Sequence, residues 1–437
     1  MSLPVASILI KHASQLVTMP ITGGAPKRGA DLGEIGLVED GALAISGERI
    51  LAAGPTSQVV AQVKVGPETR ILEARGRTVL PGFVDPHTHT VFAGWREKEF
   101  VQRLQGASYL EILQAGGGIL NTVTRTRAAS FEELLSSTLV KLDEFLLHGT
   151  TTVEIKSGYG LNRIDELKTL EVVAAAARAH PVEVVPTFLG AHAIPPEYRG
   201  RAAAYIDFLR EEVLPEVAER KLAQFVDVFC EEGVFSTTEA ERLLSRARDL
   251  GFGLKLHADE LAASGGAELA ARLRATSADH LLKVSREGIA ALAQAGVTAV
   301  LLPLTSFFLK AEGFAPARAL VEAGVPVALA TDFNPGTSPV QSQALSIGLA
   351  CLKLGLTPAE ALASATANAA FALGLGQRVG SLAPGWQADV IVIDAPSYEF
   401  IPYRFGTNLV RTVIKKGRIV VEEGRLLPIE RGAGHDQ

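Results

Sequence analysis

The chain has 437 residues, 47% hydrophobic and 21% charged, with a formal net charge of -6. That length predicts one large domain plus something smaller. Lys and Arg are scattered without a basic run, which argues against nucleic-acid or anionic-membrane partners. The two cysteines, Cys230 and Cys351, are far apart and in no C-x-x-C pattern, so a disulfide framework is excluded and a reducing compartment fits.

From the N-terminus, the apolar run is short and lacks a preceding basic segment, so no secretory signal is expected. The segment to residue 78 reads as short strands broken by Gly and Pro, with a tight turn at 47–49. From 79 to 375 short apolar runs alternate with Ala-rich amphipathic stretches, the pattern of βα units on a parallel sheet. Eight strand candidates can be counted: RTVLPGFVD, TTVEIKS, VEVVPTFLG, FVDVFCEE, FGLKLHA, TSADHLL, VTAVLLP and VPVALATD. The predicted fold is α/β, a (β/α)8 TIM-like barrel. The strand texture returns from 376 to 437, so residues 1–78 and 376–437 are expected to form one small β-sandwich domain. The run from Ala291 to Leu309 is interrupted by Gly296 and Pro303 and reads as helix end, turn and strand, not a membrane span. A soluble cytoplasmic protein, by default a homodimer, is the expectation.

In such a barrel the active site lies at the C-terminal strand ends. Five of the nine histidines fall there: His87 and His89 after the first strand, His192 after the third, His257 ending the fifth and His280 on the sixth. Asp332 closes the eighth. Residues i and i+2 of a strand point the same way, so His87-x-His89 aims two imidazoles at one point. A third imidazole and a carboxylate complete a mixed N/O site suited to Zn or Fe. The expected ligands of one divalent or trivalent metal ion are His87, His89, His257 and Asp332. Such an ion lowers the pKa of water toward neutrality, with Asp332 placed to take the proton and pass it to a leaving group. Glu260 would orient water or bind substrate, and His280 would polarise a carbonyl. The competing structural readings are a helix or turn cap for Asp332, a first-turn carboxylate for Glu260 and a ligand-orienting partner for His280.

PGFVDPHTHT, His257-x-x-Glu260, His280 and the strand-eight Asp332 resemble the amidohydrolase superfamily. PGFVDPHTHTVFAGWREKEF, GGGILNTVTRTR, TTVEIKSGYGL, TFLGAHAIPPEY, LKLHADE and ATDFNPGTSP resemble one family within it, the imidazolonepropionases. The resemblance implies hydrolysis of the cyclic amide of 4-imidazolone-5-propanoate to N-formimidoyl-L-glutamate. It implies substrate contacts at Arg96, Tyr159, His192, Glu260, Asn334, Gly336 and Thr337. A guanidinium at Arg96 would grip the propanoate carboxylate bidentately, although an ion pair with Glu97 or Glu99 is the plainer alternative. Some superfamily members bridge two metals with a carboxylated lysine. Lys156 ends the second strand here and no lysine ends the fourth, so one metal is favoured. The glycine-rich stretch at 115–120 is expected to be a flap over the pocket. The rival activities are a purine- or pyrimidine-type aminohydrolase on the same metal site and a catalytically dead scaffold.

Overall fold

The computed structural model describes residues 3–107, 111 and 116–428. All eight strand candidates are present, as Phe83–Asp85, Thr150–Lys156, Glu183–Ala191, Phe225–Cys230, Gly253–Ala258, Ser277–His280, Thr298–Leu301 and Val327–Leu329. They lie side by side in chain order in one parallel sheet. Helices such as Arg163–Ala179, Thr237–Asp249 and Arg286–Ala295 connect them. Three helix starts are set by capping boxes: Ser130 with Glu133, Ser236 with Glu239 and Thr357 with Glu360. In each, the hydroxyl and the carboxylate satisfy amides that the first helical turn leaves open.

Strand alternation divides the barrel. Val153, Ile155, Leu254, Leu256 and Ala278 pack outward into the main core with the helices. Part of the interior is an apolar plug of Val84, Val185, Phe225, Val300, Ala328 and Ala330, met from below by Ala369, Ala370 and Leu373. The inward positions of strands two, four, five and six instead carry charge: Glu154, Lys156, Asp227, Lys255 and Asp279, all fully buried.

The ladder is not continuous between the first and eighth barrel strands, and side chains join them. Thr331 donates its amide (3.1 Å) and hydroxyl (2.5 Å) to the Asp85 carboxylate. The Gln343 amide donates to the carbonyls of Val84 (3.0 Å) and Leu329 (3.2 Å). Above this seam, Asp332 N donates to His87 O and His89 N to Phe333 O.

RTVLPGFVD does not form one barrel strand. Thr78–Pro81 joins the second sheet, parallel to Val5–Val17 and antiparallel to Val390–Ile393, and only Phe83–Asp85 enters the barrel. Gly82 makes the switch: a Cβ there would lie 2.4 Å from the Thr151 side chain. The second sheet has nine strands drawn from both termini, and Thr78–Pro81 links the N-terminal and C-terminal sets. The turn at 47–49 joins Leu37–Ser46 to Arg49–Pro55. Among the described residues no helix is long and apolar enough to cross a membrane, and both cysteines are free.

Candidate metal centre

His87 and His89 follow the first barrel strand, which ends at Asp85, and their two-residue spacing turns both imidazoles toward the same side. His257 shares the inward face of the fifth strand with Lys255. His280 is the last residue of the sixth strand and has φ 76°. That left-handed turn lets His280 face the rim while Asp279 keeps the inward position. Asp332 lies three residues beyond the eighth strand with φ 53°. A non-glycine residue in this region stores about 1–3 kcal/mol of strain and needs its surroundings to hold it. The bond from Asp332 N to His87 O (3.0 Å) and that from Thr305 Oγ1 to Asp332 Oδ2 (2.6 Å) do so.

The Nε2 atoms of His87 and His89 lie 3.5 and 3.4 Å from Asp332 Oδ1. The potential ligand atoms of His87, His89 and Asp332 all lie within 4.8 Å of one another, as do those of His87, His257 and His280. Two donors each ~2.0–2.2 Å from one ion at a tetrahedral angle stand roughly 3.3–3.6 Å apart. His87 Nε2, the atom that faces Asp332, is buried without a hydrogen-bond partner, an expensive arrangement unless an ion or ligand satisfies it. The residues therefore fit one metal ion. A further grouping, His87 with Glu154 and Asp279, is already neutralised by Lys156 and Lys255.

Burial, reinforced by cationic neighbours, pushes His87, His89 and His192 well below the ordinary imidazole range. Burial takes His280 down to about 3. Neutral imidazole is the form a metal accepts. His257 goes the other way: burial would lower it, but the Asp227 carboxylate outweighs that and raises it. Burial, then repulsion from Asp332, pushes the Glu260 carboxyl up to about 8. Its Oε1 lies 3.5 Å from His280 Nδ1.

The residues expected to bind substrate gather around this cluster. The His192 ring stacks on His89 at 4.9 Å, and the Tyr159 ring lies 5.4 Å from His192. Arg96 makes the plainer ion pair, from Nε (2.9 Å) and Nη2 (2.7 Å) to Glu99 Oε2, yet it is not a surface group. Its Nη1 reaches the loop after the eighth strand, where a Cβ on Gly336 would lie 2.0 Å away. Asn334 organises that loop: Oδ1 accepts from the amides of Gly336 and Thr337, and Nδ2 donates to Asp332 O and Thr337 Oγ1. The turn-capping role weighed for Asp332 thus falls to Asn334. Ala115 of the expected flap lies outside the described residues, and Gly118 N donates to Glu99 Oε1 (3.1 Å).

Sequence reasoning missed the charged layer beneath the cluster. Asp279 Oδ2 lies 2.6 Å from His87 Nδ1, and Asp227 Oδ2 lies 3.0 Å from His257 Nδ1. Glu231 was also missed; it accepts the amides of Glu260, Leu261 and Ala262, fixing the turn that carries Glu260. A signal existed: Glu154-x-Lys156, Lys255-x-His257 and Ser277-x-Asp279 place polar groups at the strand period within apolar runs.

The family model described as "Amidohydrolase family" matches residues 78–420. An imidazolonepropionase of Symbiobacterium thermophilum is 54% identical over 96% of this chain and 98% of its own. One of Geobacillus kaustophilus is 49% identical over 96% and 99%. Among solved structures, an E. coli guanine deaminase superposes with TM-score 0.72 at 16% identity, covering 97% of this chain and 100% of its own. A zinc-bound adenosine deaminase from Xanthomonas campestris superposes at 0.69 with 21% identity, covering 98% and 96%. At these identities the two structures speak for the fold alone.

Proposed function

The chain belongs to the amidohydrolase family and, within it, to the imidazolonepropionases, and from that premise we propose how its residues open the ring of 4-imidazolone-5-propanoate. The reaction adds water across a cyclic amide. A C–O bond forms at the ring carbonyl carbon, the C–N bond to the ring nitrogen breaks, and that nitrogen gains a proton. The product is N-formimidoyl-L-glutamate, and the reaction is the third step of histidine breakdown.

His87, His89, His257 and Asp332 hold the metal, which we take to be Zn or Fe because three imidazoles and a carboxylate suit both. A divalent ion held there supplies Lewis acidity, making hydroxide available at neutral pH. Asp332, its Oδ2 held by Thr305, takes the proton of the attacking water and returns it to the leaving nitrogen. His280, neutral because burial drives its pKa to about 3, donates an N–H toward the carbonyl oxygen as charge develops. Glu260, beside it, meets a ring N–H or the water. Arg96 grips the propanoate carboxylate. Tyr159 and His192, beside His89, contact the substrate, as do Asn334, Gly336 and Thr337 in the loop Arg96 touches.

The observation that carries this assignment is Arg96. A guanidinium seated against Gly336, four residues past Asp332 in the loop that follows the eighth strand, puts a carboxylate-binding cation against that loop, which a neutral nucleobase does not call for. We also propose a cytoplasmic homodimer; the two free cysteines support a reducing compartment. The test is to offer the purified chain imidazolone-propanoate, cytosine and guanine, with bound metal measured alongside. Ring opening of the first alone is expected. Turnover of only the bases would sink the assignment, and a chain that binds no metal and stays inactive after metal is added would be a scaffold.

A further inference from the structure

Lys156 is fully buried inside the barrel, beneath the rim. Its Nζ donates to Asp227 Oδ2 (2.7 Å), and lies 2.9 Å from Glu154 Oε2 and 3.6 Å from Asp279 Oδ2. Two of these carboxylates reach the proposed ligands. Asp279 Oδ2 is also 2.6 Å from His87 Nδ1. Asp227 Oδ2 is also 3.0 Å from His257 Nδ1, and its Oδ1 accepts the His257 amide at 3.2 Å. The same oxygen of each aspartate therefore faces an imidazole on one side and the ammonium on the other. The rest of the layer anchors the arrangement. Lys255 Nζ lies 2.9 Å from Glu154 Oε1 and donates to Pro86 O at 2.8 Å, directly before His87. Ser277 Oγ donates to Asp279 Oδ1 at 2.6 Å.

A carboxylate on the Nδ1 side of a metal-binding imidazole selects the tautomer, aims Nε2 and raises its basicity. Two such carboxylates packed together in a low-dielectric interior would repel each other and turn away, because unpaired buried charge is strongly penalised. The Lys156 ammonium lies between them and, with Lys255 in the same layer, offsets that repulsion. We propose that Lys156 is a positioning residue for the metal centre: its ammonium ties Asp279 and Asp227 together so that they aim His87 and His257 at one ion. This also gives the strand-two lysine a job that opposes its use as a carboxylated bridge, since an ammonium held among three carboxylates is not the neutral amine that carboxylation requires. The inference rests on the metal centre proposed above.

The test is Zn²⁺ affinity, measured by chelator competition on the metal-stripped full chain, for the wild type, K156M, K156Q, D279N and K156M/D279N, each checked for folding by circular dichroism and thermal unfolding. Partners of ligating histidines typically contribute about 10–100-fold in metal affinity. Folded K156M and K156Q should weaken Zn²⁺ binding by that much. In the D279N background the further loss from K156M should shrink, because one of its two routes to a ligand is gone. A folded K156M that binds Zn²⁺ within about twofold of wild type, a value far below that 10–100-fold range, overturns the proposal. So does a double variant whose loss is the full product of the single losses. Failure of both K156M and K156Q to fold overturns it too, since it would assign the ammonium to the barrel and not to the site. A wild type that binds no Zn²⁺ would instead refute the metal centre itself.

Discussion

Gly336→Ala isolates the Arg96 contact without touching a charge. Gly336 does not occupy the left-handed backbone region, so alanine fits its backbone. The obstacle is Arg96: the added Cβ would meet Nη1 at 2.0 Å and Cζ at 2.6 Å. Ordinary contact begins at 3.4 Å, so the guanidinium must retreat by about 1.4 Å. The retreat pulls on its bonds to Glu99, which also holds Gly118 N. Because the group that moves is the end of a flexible side chain, stability should change by less than about 1 kcal/mol. A misplacement of roughly 1 Å at a substrate-positioning group costs on the order of 10²-fold in rate, so kcat/KM should fall by about that factor with metal content unchanged. Steady-state kinetics on imidazolone-propanoate, with metal analysis, measures this. Arg96→Ala should raise KM and lower kcat/KM, and Arg96→Ala/Gly336→Ala should be no worse than Arg96→Ala alone. Unchanged kinetics for Gly336→Ala, or a double variant showing the full product of both losses, would refute the reasoning.

Asp332→Asn should keep the fold and lose about 10²–10⁴-fold in kcat; near-full activity in a metal-loaded variant would remove Asp332 from the proton path. Gln343→Leu should destabilise the barrel by roughly 2–4 kcal/mol, because two buried carbonyls lose their donor; an unchanged denaturation midpoint would show that the seam does not depend on it. Burial pushes the Lys141 ammonium down from 10.5 to about 7. Between those values the unfolded chain holds the extra proton, so stability should rise as the pH is raised from 7 toward 10.5. Unfolding midpoints across that range should climb more steeply for the wild type than for Lys141→Met, and equal slopes would contradict the burial argument.

Much of the fold was legible because strand period and βα alternation are local properties. Seven of the eight barrel strands stand where their apolar runs predict and the first keeps only Phe83–Asp85 of its run, and His87, His89, His257, His280 and Asp332 come together because strand ends in a parallel barrel share one rim. RTVLPGFVD was read as one strand because nothing local marks Gly82 as the point where the chain changes sheets; that follows from its close approach to Thr151. Arg96 was legible as a cation near the site. That it serves Glu99 and faces Gly336 together follows from packing between two loops remote in sequence.

The residue types and spacings by themselves determined the barrel and pointed to one rim and to a set of candidate ligands there. Tertiary structure alone decided which charged groups lie beneath those candidates. Lys156, Asp227 and Asp279 lie on strands two, four and six, and no short-range pattern tells which buried charges will pair. Closure of the sheet brings them within hydrogen-bond reach, and the low dielectric of the interior then forces every charge there to find a partner.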